Sequence, residues 1–117
     1  MFLVTSYYLK EDKHTEFQKW LLSDEFKKLM ADMEEETGVR YVGTYWPILG
    51  FGDALEDWAE VPNWEALDKH RESKAAQKLW SRQVELDFVD MSRPVQTRAL
   101  RTTEDVRITE PPKKEEE

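Results

Sequence analysis

Residues 39–61 read VRYVGTYWPILGFGDALEDWAEV. Two runs rich in β-branched and aromatic residues flank PILGFG, where Pro47, Gly50 and Gly52 interrupt regular structure, so the segment predicts a β-hairpin. Pairing symmetric about residue 50 places Arg40, Val42, Thr44 and Trp46 on one face with Glu60, Trp58, Glu56 and Ala54. Tyr41, Gly43 and Tyr45 then share the other face with Ala59, Asp57 and Leu55. Arg40 falls opposite Glu60, a cross-strand ion pair worth at most about 1 kcal/mol. A slip of one residue would exchange these faces.

The flanks of the hairpin set the architecture. MFLVTSYYL at the N-terminus reads as a strand with apolar or aromatic groups on both faces: Phe2, Val4 and Tyr8 on one, Leu3, Tyr7 and Leu9 on the other. Residues 11–37 are helical in composition, but the apolar stripe changes phase. At about 100° per residue, Phe17, Trp20 and Leu21 cluster on one side, and Phe26, Leu29, Met30 and Met33 roughly half a turn away. A break near Ser23, with Ser23 or Asp24 as the cap of a second segment, brings both groups to one core. The alternative is a continuous helix whose second stripe meets a partner subunit. Gly38 is placed to end the helix. After the hairpin, Asn63 caps a helix over WEALDKHRE, and Ser73 divides it from KAAQKLWSRQVELDF. VQTRALR follows Pro94 as the fourth strand, and DVRITE is a candidate short fifth.

The order is β-α-β-β-α-β, that of the α+β ferredoxin-like split βαβ motif: a four-stranded antiparallel sheet with helices on one face. The other face would be wet in a monomer. Aromatics on both faces of the first two strands predict that a second copy covers it, giving a homodimer with two sheets face to face. The expected domain spans residues 1–109, and 110–117 form a charged, disordered tail ending PPKKEEE.

Composition removes several functions. A net charge of -8 repels phosphates, so neither nucleic acid nor an anionic membrane is an expected partner. The absence of cysteine excludes disulfides, thiolate metal sites and a cysteine nucleophile, and suits a cytoplasmic setting. No secretory leader is evident, and no apolar run approaches the roughly 20 residues of a membrane span. No spacing of acids and histidines signals a metal site. GFGD opens no helix and reads as a turn rather than a phosphate cradle.

WAEVPNWEALDKHRES, from Trp58 to Ser73, resembles the strand-to-helix segment of antibiotic biosynthesis monooxygenase-like domains of the dimeric α/β-barrel superfamily. Trp58, Glu60, Glu65, Ala66, Leu67, His70 and Ser73 match its pattern, and the element order extends the likeness over about residues 1–102. The resemblance implies a dimeric α/β barrel binding a small, largely apolar molecule, with cofactor-independent monooxygenase-like chemistry on an aromatic or quinol-type substrate. It implies no cofactor. Gln77 and Leu67 stand where the heme-degrading branch has its helix histidine and tryptophan, and Tyr7 or Tyr8 where it has a strand-one asparagine, so heme is disfavoured.

His70 is the candidate catalytic base, since an imidazole titrates near neutrality. The plainer alternative is a histidine that ties its helix to a strand or loop. Trp58 and Tyr45 are candidates to position an aromatic ring, Glu60 to orient a neighbour, and Asp57 to contact ligand. A buried carboxylate needs a partner or a raised pKa, and Arg40, Arg98 and Arg101 offer neutralisation as the alternative to catalysis. Trp46, Trp58, Trp64 and Trp80, with Tyr41 and Tyr45, are either core and interface or, near His70, the lining of a cavity. His14, early in the first helix among charges, reads as solvent-exposed.

Overall fold

The structure, a computed structural model, describes residues 1–49 and 52–101. The order is β1 (Phe2–Tyr7), α1 (His14–Leu21), α2 (Asp24–Thr37), β2 (Arg40–Tyr45), β3 (Leu55–Glu60), α3 (Trp64–Arg71), α4 (Lys74–Glu85) and β4 (Gln96–Leu100). The strands form one antiparallel sheet in the order β2-β3-β1-β4. The expected boundary at 109, the tail and the DVRITE strand lie outside the described residues.

Local chemistry sets the helix ends. The Ser23 hydroxyl accepts the Phe26 N–H at 3.2 Å and starts α2. The Asn63 carboxamide accepts the Ala66 N–H at 2.8 Å and starts α3. The Ser73 hydroxyl accepts the Ala76 N–H at 3.0 Å and starts α4. Each satisfies an amide that the helix itself leaves without a partner. Gly38 ends α2 at φ 82°, in the left-handed region, with its N–H on the Glu34 carbonyl. The break at Ser23 settles the phase change between α1 and α2: Phe17 and Trp20 from α1 and Phe26 and Leu29 from α2 meet in one core with Tyr7, Leu55 and Phe88. A second cluster joins Leu3, Met33, Val39, Val61 and Ala66.

The hairpin departs from symmetric pairing at one residue. Arg40 pairs with Glu60 and Tyr41 with Ala59, but Gly43 pairs with Trp58, Thr44 with Asp57 and Tyr45 with Glu56. Val42 is thus the extra residue of a β-bulge, and every residue after it on β2 changes face. Thr44 moves to the helix side with Asp57, and Tyr45 moves to the outer side beside Trp58, correcting the symmetric register. Gly43 makes room for this: a Cβ there would lie 3.3 Å from the Tyr45 hydroxyl oxygen, which folds back across it. The expected Arg40–Glu60 ion pair forms at 2.7 Å.

Helices cover one sheet face. The helix α4 packs chiefly on α2 rather than on the strands. Two polar contacts fix it there. Glu36 of α2 accepts the Lys74 and Ala75 N–H groups at 3.1 and 3.0 Å, and the Ser73 hydroxyl at 3.1 Å. Those amides, Ala75 first, hold its carboxyl below the usual range, as expected for an acid at a helix N-terminus. At the other end of α4, Arg82 donates to both oxygens of Glu25, at 3.2 and 3.0 Å. The helix is therefore hung from its neighbour, leaving space beneath it.

Candidate functional site

The space between the sheet and helices α2, α3 and α4 is a cavity of about 310 Å³. Its strand side includes Leu3, Thr5, Tyr41, Asp57, Ala59 and Thr97. Its helix side includes Met30, Met33, His70, Leu79, Trp80 and Gln83. The wall is mostly apolar, with a few polar groups aimed inward, the usual make-up of a small-molecule site. No lysine or arginine lines it among the described residues.

Asp57 is the polar centre. It lies on β3 with its side chain toward the helices, and its Oδ1 accepts the Tyr7 hydroxyl at 2.9 Å and the Thr44 hydroxyl at 2.7 Å. The Thr44 and Tyr41 hydroxyls lie 2.5 Å apart and extend the chain along β2. The residue is half-buried: its Oδ1 is held by the two hydroxyls, and the rest of the side chain faces the cavity. Burial pushes that carboxyl up to about 6, against the opposing pull of the hydrogen bonds from Thr44 and Tyr7. Burial likewise lifts the Tyr41 phenol to about 12, and the Tyr7 phenol well above its ordinary value, with the adjacent Asp57 charge adding to the effect. Both tyrosines are therefore donors, not anions, at neutral pH.

His70, on the last turn of α3, reaches the same cavity and is half-buried. Burial lowers its pKa, favouring the neutral ring. Its ring makes no hydrogen bond to a strand or loop among the described residues. A neutral imidazole with a free nitrogen can donate to or accept from a bound molecule.

Three of the five expected site residues converge. His70, Asp57 and Trp58 all contribute to the cavity wall. The indole of Trp58, however, turns to the outer sheet face, 5.5 Å from the Phe2 ring and 6.2 Å from Tyr45, and donates to Glu56 at 3.2 Å. Tyr45 and Glu60 do not line the cavity. The bulge carries Tyr45 to the outer face, and strand alternation puts Glu60 there with Arg40. Of the other aromatics, Trp80 and Tyr41 line the cavity, while Trp64 is largely exposed. Trp80 also meets the Tyr7 ring edge-on at 5.6 Å. Trp46 stacks on the exposed His14 ring at 4.3 Å, beside a smaller cleft where Arg93 pairs with Asp53. Among the described residues no three histidine or acidic side chains come together as a metal site.

The residue pattern names Trp80 among the candidate cavity aromatics, but neither Tyr7 nor Thr44 as a site residue. The symmetric register assigns Thr44 to the face opposite Asp57, and Tyr7 shares its strand face with Leu3 and Leu9. Alternation along β1 does place Tyr7 opposite the core side of β3, and that was the available signal.

No protein-family model matches the chain, and no curated protein matches it. Solved structures do. A NIPSNAP domain protein from Burkholderia xenovorans aligns with TM-score 0.60 and 14% identity, over 90% of this chain and 97% of that one. Rv0793 from Mycobacterium tuberculosis aligns with TM-score 0.58 and 19% identity, over 91% of this chain and 97% of that one. A proposed antibiotic biosynthesis monooxygenase from Deinococcus radiodurans aligns with TM-score 0.57 and 16% identity, over 92% of this chain and 98% of that one. At such identities the likeness establishes a shared architecture, and the chain has the ferredoxin-like α+β fold of these proteins.

Proposed function

We propose that this chain is a homodimeric barrel protein that binds a small, largely apolar molecule and acts on it as a cofactor-independent monooxygenase-like enzyme. The observation that carries the reading is the cavity: about 310 Å³, apolar for most of its wall, with a carboxyl and an imidazole facing one space. A purely structural module has no need of an apolar pocket of this size with polar groups converging in it. An aromatic or quinol-type molecule suits the site in size and in its lack of charge. In this chemistry the substrate gives up a proton, and the electron-rich anion reacts with oxygen. The protein supplies a mostly apolar pocket, an acceptor for the proton and the Tyr41 hydroxyl as a neutral donor, with Tyr7 and Thr44 holding Asp57. The likeness to the Deinococcus protein supports the reading without carrying it.

Pairing through the outer sheet face is part of the same reading. Phe2 is 37% exposed, Val42 43% and Tyr45 49% on that side, and their burial against a second copy would contribute on the order of 25 cal/mol per Å² of apolar surface. The acidic, cysteine-free sequence suits a cytoplasmic setting.

The test is titration of intrinsic tryptophan fluorescence with quinols, polyketide-like phenols and heme, followed by oxygen uptake with any compound that binds. Trp80, on the cavity wall, is the expected reporter. Saturable quenching by a quinol or phenol, with oxygen consumed, is the expected result. Binding without oxygen uptake would reduce the protein to a carrier or sensor. No response from a folded dimer would overturn the reading in favour of a non-catalytic structural module.

A further inference from the structure

Asp57 is difficult to explain as a structural residue. A carboxylate set in a mostly apolar pocket ordinarily has a cation beside it, and β3 shows that this chain can supply one. Glu56, the preceding residue, pairs with Arg98 at 3.0 Å, and Glu60 pairs with Arg40. Asp57 receives only two neutral hydroxyls, both on Oδ1. Its Oδ2 has no hydrogen-bond partner among the described residues, and the residue lines the cavity. The polar and titratable groups facing that space are Thr5 from β1, Tyr41 from β2, Thr97 from β4, His70 from α3, and Trp80 and Gln83 from α4, with methionines from α2; Tyr7 and Thr44 stand behind Asp57, on its Oδ1. None is a fixed cation, and burial keeps His70 toward its neutral form.

Resting on the reading that the cavity binds a small molecule, we propose that Asp57 is its proton-accepting group. The open carboxylate oxygen takes the hydrogen of a hydroxyl on a neutral, apolar ligand, while Tyr7 and Thr44 hold the carboxylate in position. The ligand class follows: an uncharged ring compound with an acidic hydroxyl. A carboxylate or phosphate ligand would meet the Asp57 charge with no cation to offset it. Complete transfer breaks the ligand O–H bond, leaves the electron pair on the ligand oxygen and forms an O–H bond on Asp57. The negative charge passes from protein to ligand, and nothing is oxidised in this step. A carboxyl lifted to about 6 is still ionised at neutral pH but is a better base than an exposed one. His70 then serves as a hydrogen-bonding group at the cavity wall.

The test compares 1-naphthol with its methyl ether, 1-methoxynaphthalene, by calorimetric titration of the full chain. Both probes are neutral, and only the first has a hydrogen to give. At about pH 7.5 the naphthol is expected to bind roughly ten- to a hundredfold more tightly, the range for a hydrogen bond to a charged acceptor. The preference should shrink several-fold at about pH 5, where the carboxyl is protonated, and disappear in Asp57→Asn but persist in His70→Ala. Equal affinity of wild-type protein for the two probes would overturn the role of Asp57 while leaving the cavity reading intact, and needs no variant. Loss of the preference in His70→Ala alone would overturn it in favour of the histidine. Binding of neither probe would overturn the cavity reading, and this inference with it.

Discussion

Glu56 and Asp57 are adjacent on β3, yet the two faces of the sheet treat their charges in opposite ways. On the outer face Glu56 is matched by Arg98, and Glu60 by Arg40, both pairs partly exposed. On the helix face Asp57 faces the cavity, with hydroxyls in place of a cation. The outer acids hold their charge at little cost, because water and an arginine share the solvation. Asp57 holds its charge against burial, and the fold gains nothing evident in return. Strain maintained at one position of an otherwise consistent structure points to function.

The largest expected effect comes from Asp57→Asn. Its carboxyl is raised from 3.8 to about 6, about 2 pKa units or about 3 kcal/mol between charged and neutral forms. The folded state therefore holds this proton more tightly than the unfolded chain does. The Asp57 contribution to stability should be fully present below about pH 4, fall as pH rises to about 6, and stay reduced above that, and the difference between wild type and variant isolates it from the acids, such as Glu36, whose contributions are lost at low pH. The asparagine variant should lack this fall and be more stable near pH 7.5, by up to about 3 kcal/mol. Urea unfolding across a pH series measures it. A variant less stable than wild type at that pH would mean that the hydroxyl contacts outweigh burial, and the contrast between faces would collapse.

Tyr7→Phe sharpens the contrast from the other partner. It keeps the ring that packs on Phe17 and Trp80 and removes one donor to Asp57. The expected loss is about 1.5–3 kcal/mol where Asp57 is charged, and less at acid pH. Because that hydrogen bond lowers the Asp57 pKa, the pH midpoint of the stability profile should move up.

Arg40→Ala, on the outer face, should cost less than about 1 kcal/mol, with the difference largely gone at about 1 M salt. Thermal melts at low and high salt measure it. A loss as large as that from Tyr7→Phe would show that the Arg40–Glu60 pair is shielded from water in solution, and that pairing through this face covers it as well as Phe2, Val42 and Tyr45.

The smallest effect is expected from deleting Val42. Without the bulge residue, Tyr41 and the segment from Gly43 form a regular ladder that keeps their present partners. The fold and the Thr44–Asp57 contact should survive, with melting shifted by only a few degrees, on the order of 0.5 kcal/mol. An altered pH profile would show that the bulge does more than set the register.

The element order, the caps at Ser23, Asn63 and Ser73 and the left-handed stop at Gly38 are legible in the residue pattern, because they depend on residues within one turn of chain. The pattern also places Arg40 opposite Glu60 and singles out His70, Trp58 and Asp57, which the structure brings to one cavity wall. Which hydroxyls meet Asp57, and where Tyr45 points, follow from the folded register alone. Strand alternation assigns faces relative to a register, and a single bulge at Val42 reverses every assignment beyond it. The same holds for Glu36. It sits in an acidic run, MEEET, that reads as solvated helix surface, yet it holds the N-terminus of α4, nearly forty residues away in sequence. A contact of that range depends on how two helices pack, which no local pattern records, and it is this contact, with Arg82 on Glu25 at the far end, that suspends α4 above the sheet and leaves the cavity open.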